Sequence, residues 1–126
     1  GLDSDNVSTA GNLAKLARYA FTAHEELFET AADYSSYTFV TQNTNRTISL
    51  PSTNKFDGRG LYDLTAFKTG YLPGTADRTL VAQIQKIGTD QEIVVVLLGN
   101  PQYNTIFDEA FALAHWAFSN WNFQNY

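Results

Sequence analysis

The sequence predicts an α+β fold in which helices flank an antiparallel sheet. Segments with helical periodicity stand near both ends of the 126-residue chain, and segments typical of strands stand between them. The last three strand segments are separated by turns of hairpin length, which indicates an antiparallel meander. The chain contains no internal repeat, linker or low-complexity segment. We therefore expect one α+β unit over residues 1–126.

The spacing of apolar residues predicts three helices. Ser8 is the expected N-cap of the first, and Leu16 belongs to its apolar positions. Leu27 and Phe28 are expected to pack in the second, and Leu113 lies on the apolar stripe of the third. The predicted helices span residues 9–22, 25–32 and 105–121.

Alternating and β-branched residues predict five strands. The polar loop 51–60 separates the first two strands from the last three. The last strand contains Ile93–Leu98, which is apolar on both faces, so it should be central or covered by helices on both sides. Gly99–Pro101 should end it. The predicted strands span residues 37–41, 46–50, 64–71, 79–87 and 92–98.

The composition excludes several classes of function. With 13 acidic and 8 basic residues the net charge is −5, which argues against a protein that coats nucleic acid. The chain has no cysteine, so disulfides, zinc–thiolate sites and cysteine nucleophiles are excluded. Its longest apolar run, Ile93–Leu98, is too short to span a membrane. The first residues lack the pattern of a signal peptide. We expect no cofactor and no nucleic-acid partner.

The triplet Lys68-Thr69-Gly70 stands at the end of the predicted strand 64–71. Lys-Thr-Gly is one of three motifs of penicillin-binding proteins and serine β-lactamases. At an edge strand beside a cleft, Lys supplies a positive charge, Thr a hydroxyl for a substrate carboxylate, and Gly an unobstructed approach. A triplet alone is also what a strand end with a solvated Lys and a turn Gly would produce.

Other segments match one family in the same order along the chain. They are Gly1-Leu2, Ser8–Ala10, Leu13–Arg18, Glu25–Phe28, Asn43–Asn45, Phe67–Tyr71, Leu80–Ala82, Glu92–Gly99 and Ala114–Phe118. Together with the triplet they resemble D-alanyl-D-alanine carboxypeptidases, the low-molecular-mass penicillin-binding proteins of serine peptidase family S11. The sequence departs from that family at Leu72, where Thr is usual, and at residues 76–78, which replace Ala-Gly.

The resemblance implies part of a β-lactamase/transpeptidase-like fold and the removal of terminal D-alanine from peptidoglycan stem peptides. A serine would attack the D-Ala–D-Ala bond and form an acyl-enzyme that water releases. Lys68 would act electrostatically and in proton relay, Thr69 would bind the terminal carboxylate, and Gly70 would keep the cleft open. Arg46 is a second candidate for the carboxylate. The resemblance also implies β-lactams as substrate mimics and an extracytoplasmic location, in the periplasm or at the cell surface.

The other two motifs of the family, Ser-x-x-Lys and Ser-x-Asn, belong upstream of Gly1. The chain is therefore expected to be the C-terminal portion of the domain and to lack the nucleophile. Ser52–Lys55 and Ser4–Asn6 match these motifs literally, but they consist of ordinary turn residues and are expected to have no catalytic role. A partial domain should expose apolar surface, which dimerisation or domain swapping would bury.

Two alternatives belong to other functional classes. The chain is either a non-catalytic module that binds peptidoglycan peptides or a partner protein, or one half of a split enzyme that pairs with the missing N-terminal portion. His24 and His115 stand on helices without a carboxylate cluster at ligand spacing, so capping or packing is expected of them rather than metal binding.

Overall fold

The structure, a computed structural model, describes residue 3 and residues 5–72, 77–102 and 105–123. It is an α+β fold with three helices and two antiparallel sheets, as the sequence predicts. The elements are α1 (Ala10–Ala23), α2 (Glu25–Asp33), β1 (Ser36–Val40), β2 (Thr47–Pro51), β3 (Tyr62–Tyr71), β4 (Arg78–Lys86), β5 (Glu92–Asn100) and α3 (Thr105–Asn120).

The larger sheet is a three-stranded antiparallel meander in the order β3-β4-β5. The central strand, β4, contains the most deeply buried side chains of the sheet, because Leu80, Ala82 and Ile84 have no exposed surface. Residues 81 and 83 alternate with them toward the opposite face, as a pleated strand requires. The sheet therefore has two packed faces, with β3 at one of its edges.

Helices cover both faces of this sheet. On one face, Ile106 and Ala110 of α3 pack against Leu80 and Val95. On the other, Ala17 and Phe21 of α1 form a smaller cluster with β3, β4 and β5. The sequence predicts that β5 is either central or covered by helices on both sides. It lies at an edge of the described sheet, and a helix packs on each of its faces, so the second alternative is confirmed.

Helix α1 begins one residue later than its predicted cap. The side chain of Thr9, in extended conformation, accepts a hydrogen bond from the backbone N–H of Asn12 at 3.2 Å. Ser8 is therefore not the N-cap, and that prediction is wrong. At the other end, the backbone N–H of His24 donates to the carbonyl of Ala20 at 3.0 Å, and α2 begins at the next residue. His24 thus has the capping position expected of it.

β5 ends at Asn100, which lies within the predicted stop Gly99–Pro101 but beyond the predicted last residue of the strand, Leu98. Gly99 has a φ of 72°, in the left-handed region that favours glycine. The pairing shifts register nearby, because Arg78 faces Asn100 while Leu80 faces Leu97. Glycine therefore absorbs an extra residue as a bulge in β5 instead of ending the strand.

The second sheet is the β1–β2 hairpin, which is exposed along almost its whole length. Nearby, Leu27 of α2 is 67% exposed, so its expected packing is wrong. Leu16 and Leu113 are exposed as well, although both belong to predicted apolar stripes. The predicted exposure of apolar surface is confirmed. None of the helices in the described ranges is long and apolar enough to cross a membrane.

Candidate functional site

The Lys-Thr-Gly segment borders a cavity at the end of the edge strand β3. The cavity has a volume of about 370 Å³. Its walls come from the end of β3, the start of β4, one residue of the preceding loop and one residue of α3. The lining residues are Thr53, Thr69, Gly70, Tyr71, Arg78, Thr79 and Ile106.

Two threonine hydroxyls meet at this cavity. The Oγ1 atoms of Thr53 and Thr69 lie 2.9 Å apart, within hydrogen-bond distance. The loop that contains Thr53 is shaped by its own side chains, since Ser52 Oγ accepts from the N–H of Asn54 and Asn54 Oδ1 accepts from the N–H of Phe56. Phe56 packs against the core beneath α3. These local bonds hold Thr53 against the strand, where its hydroxyl adds a second polar group to the site.

Lys68 lies beside the cavity and not in its lining. It faces Val81 in the β3–β4 pairing, whereas Thr69 faces Leu80, so the two side chains leave the strand on opposite faces. The Lys68 side chain is exposed, and its ammonium donates a hydrogen bond to the carbonyl oxygen of Thr69. Its positive charge is therefore held at the strand edge, next to the position where Thr69 lines the cavity.

Arg78 supplies a guanidinium to the cavity. It is the first residue of β4 and pairs with Tyr71, the last residue of β3. Its Cζ atom lies 4.3 Å from the centroid of the Tyr71 ring, a cation–π contact that orients the guanidinium. The sequence analysis did not identify Arg78. Hairpin pairing could have found it, because the first residue after a turn faces the last residue before it.

Arg46, the candidate taken from the sequence, lies elsewhere. It directly precedes β2 in the turn of the β1–β2 hairpin, where its N–H donates to Thr41 Oγ1 at 3.0 Å and its carbonyl accepts from the Thr41 N–H at 2.9 Å. Its side chain is exposed and is not part of the cavity lining. The structure thus brings Thr69 and Gly70 together in one site, with Arg78 rather than Arg46 as the arginine of that site.

Gly70 lies at the β3 end of the cavity and has no side chain. A Cβ atom at this position would lie 3.4 Å from Thr79 Cβ, an ordinary van der Waals contact. The fold itself therefore does not forbid a methyl group here. By the alternation of the strand, this methyl group would leave β3 on the face of Lys68, opposite Thr69.

The literal Ser-x-x-Lys match, Ser52–Lys55, lies in the loop before β3 and not on a helix. Its serine hydroxyl accepts from a backbone N–H two residues later, which is a turn contact. Of the other literal match, Ser4 lies outside the described residues. Lys55 is exposed, and no helical turn brings its side chain next to Ser52.

The histidines have structural positions. His115 Nδ1 lies 2.9 Å from the hydroxyl of Tyr62, and the imidazole stacks on Phe111 with ring centroids 6.0 Å apart. The packing role expected of His115 agrees with these contacts. In the part of the chain that the structure describes, no group of three or more His, Cys, Asp or Glu side chains is arranged to hold a metal ion.

The lining of the cavity is mostly apolar and contains Ile106 and Tyr71. Its polar residues include Arg78 and the Thr53–Thr69 hydroxyl pair. Guanidinium and hydroxyl donors suit a carboxylate, which accepts several hydrogen bonds. β3 is an edge strand of the described sheet, and helix α2 also packs against it. Edge strands are where extended peptides can add to a sheet. No protein-family model, no curated protein and no solved structure matches the chain.

Proposed function

We propose that this chain is the C-terminal part of a serine-type D-Ala-D-Ala carboxypeptidase that acts on peptidoglycan stem peptides outside the cytoplasm. The convergence of Arg78 with the Thr53–Thr69 hydroxyl pair, at the end of an edge strand with the sequence Lys-Thr-Gly, is the observation that supports it most. In this proposal β3 pairs with the extended stem peptide. The peptide's terminal carboxylate then lies between Arg78 and the hydroxyls.

Each residue of the triplet has a distinct part in the proposal. Thr69 donates its hydroxyl hydrogen to the terminal carboxylate, and Gly70, which has no side chain, keeps the cleft open. Lys68 provides a positive charge and a proton-relay group next to the serine, which the upstream portion of the domain supplies. Its exposed position at the strand edge supports this part, because a second portion of the domain can reach it there. β-Lactams are the expected substrate mimics.

A second candidate is a non-catalytic module that binds carboxylate-terminated peptides. The lining of the cavity supports it, because a guanidinium and hydroxyls bind a carboxylate without a nucleophile. In this alternative the same contacts bind the peptide without chemistry. The two candidates share the carboxylate site and differ in whether a Ser-x-x-Lys helix joins it.

The carboxylate site is tested by calorimetric titration of the full chain with a short peptide that ends in D-Ala-D-Ala. We expect Arg78→Gln to weaken binding about tenfold, because a charge-assisted hydrogen bond contributes ~1.5–3 kcal/mol. Arg59→Gln is the matched control, since its guanidinium also lies 4.3 Å from an aromatic centroid, that of Phe111, outside the cavity. Equal binding of the same peptide with a C-terminal amide would contradict the site.

The catalytic proposal is tested with a fluorescent penicillin. We expect no covalent labelling of the 126-residue chain and labelling of a longer chain that includes an upstream Ser-x-x-Lys helix. Peptide binding without an upstream Ser-x-x-Lys motif in the full gene would favour the binding module. Labelling that requires a separate upstream polypeptide would favour the split enzyme. Labelling of the 126-residue chain by itself would refute the claim that it lacks the nucleophile.

A further inference from the structure

A second groove lies between helix α2 and the β1–β2 hairpin, and Ser52 lines it next to Thr53, which lines the cavity of the candidate site. Its volume is about 270 Å³. The helix lines it with residues at positions i, i+3 and i+4, which form one stripe, and its extended C-cap residue, Tyr34, also lines it. We call it the α2 groove. Its principal lining residues are Leu27, Thr30, Ala31, Tyr34, Tyr37 and Leu50.

The large apolar side chains of the α2 groove are exposed. Leu27 is 67% exposed, and Tyr34, Tyr37 and Leu50 each expose more than half of their surface. The rings of Tyr34 and Tyr37 lie edge to face with centroids 6.4 Å apart, so the helix and the hairpin form one wall. A two-stranded hairpin is marginally stable unless something packs on it. Clustered apolar exposure of this kind is typical of interaction surfaces.

The solvent side of the α2 groove is acidic. Helix α2 contains Glu25, Glu26, Glu29 and Asp33 and no basic residue. Glu26 and Asp33 stand four residues before and three residues after Thr30, so they lie on the same side of the helix as the groove-lining stripe. Both side chains are exposed. An apolar stripe therefore runs beside a row of negative charge.

We propose that the α2 groove binds a basic amphipathic helix of a partner protein. Apolar side chains of the partner would pack on Leu27, Tyr37 and Leu50, and its Lys or Arg residues would face Glu26 and Asp33. The volume lies below the ~300–1,000 Å³ of small-molecule sites, which favours insertion of side chains over binding of a cofactor. The acidic row disfavours anionic lipid surfaces and nucleic acid. A second copy of this chain that packed the same groove on this one would place acidic helix against acidic helix.

The proposal is tested with a synthetic amphipathic peptide that has leucines on one helical face and lysines beside them, titrated into the full chain by fluorescence anisotropy. We expect binding that weakens as salt rises. Leu27→Ser should weaken it about tenfold, as expected for an apolar anchor. A double variant with Glu26→Gln and Asp33→Asn should bind the peptide more weakly, and its binding should depend less on salt. The double variant separates the charge contribution from the apolar one.

Leu113→Ser is the matched control, because Leu113 is also an exposed leucine on a helix but lies on α3. It should leave peptide binding unchanged. A peptide with glutamates in place of the lysines should not bind. The proposal is overturned if that acidic peptide binds equally well or if Leu27→Ser binds the basic peptide like the unmodified chain. It is also overturned if the groove variants abolish only self-association or only binding to anionic lipid vesicles.

Discussion

Arg78 and Thr69 reach the same cavity because of backbone geometry. Arg78 begins β4 and faces the end of β3, while the one-residue alternation of the strand directs Thr69 and Lys68 to opposite faces. Thr69 therefore lines the cavity, whereas the side chain of its neighbour Lys68 lies on the other face of the strand. Thr53 joins them from a loop, through its hydroxyl contact with Thr69.

Gly70→Ala tests whether the missing side chain matters for binding or for folding. A Cβ here makes an ordinary contact with Thr79, and replacing glycine reduces the entropy of the unfolded chain. We expect the free energy of unfolding to be unchanged or higher by up to ~1 kcal/mol. Affinity for the D-Ala-D-Ala peptide should fall, because the methyl group lies against Thr79 at the β3 end of the cavity. Urea unfolding and calorimetric titration measure the two effects.

The control for that prediction is Gly11→Ala in helix α1, where a Cβ meets no atom within 4 Å. Alanine in place of glycine should stabilise the helix by ~0.5–1 kcal/mol and leave peptide binding unchanged. If Gly70→Ala binds the peptide as well as the unmodified chain does, the space at Gly70 is not part of the site.

At the scale of elements, hydrogen bonds at the ends of helices and strands decide where each begins and ends. Thr9 begins α1 because its hydroxyl accepts from the Asn12 N–H, and the neighbouring Ser8 makes no such contact. Gly99 extends β5 because its positive φ accommodates a bulge. Each of these features involves one or two residues, and each moves the boundary of its element by one or two residues.

Thr9→Ala should destabilise the protein by about 1 kcal/mol, because it removes the acceptor for the Asn12 N–H. Chemical denaturation followed by circular dichroism measures the loss. Ser8→Ala is the matched control and should cost less than ~0.5 kcal/mol, as expected for a surface position. Equal losses of stability in the two variants would contradict the assignment of Thr9 as the N-cap.

For the whole molecule, the buried sheet joins the two helical layers. Strand β4 lies between β3 and β5, and its alternating side chains contribute to the cluster beneath α3 and to the one beneath α1. The candidate cavity includes Ile106 of the α3 cluster, so the packing of α3 on the sheet also forms one wall of the site. Stability and site geometry therefore depend on the same core.

Leu80→Ala should destabilise the protein by about 2–5 kcal/mol, because Leu80 is fully buried beneath α3 and its truncation leaves a cavity. Urea unfolding measures the change. Leu98→Ala is the matched control on β5, where the side chain is 45% exposed, and its effect should be much smaller. A Leu80→Ala variant as stable as the Leu98→Ala variant would contradict the assignment of β4 to the centre of the core.

The sequence alone determined the fold class, the order of the elements and the Lys-Thr-Gly strand end, because periodicity and turn residues are local properties. Only the tertiary structure decided which arginine lines the cavity, since Arg46 and Arg78 differ in strand pairing and not in sequence character. It also decided that Leu27 and Leu113 are exposed. Apolar spacing predicts a helix face, but burial requires another element to cover that face.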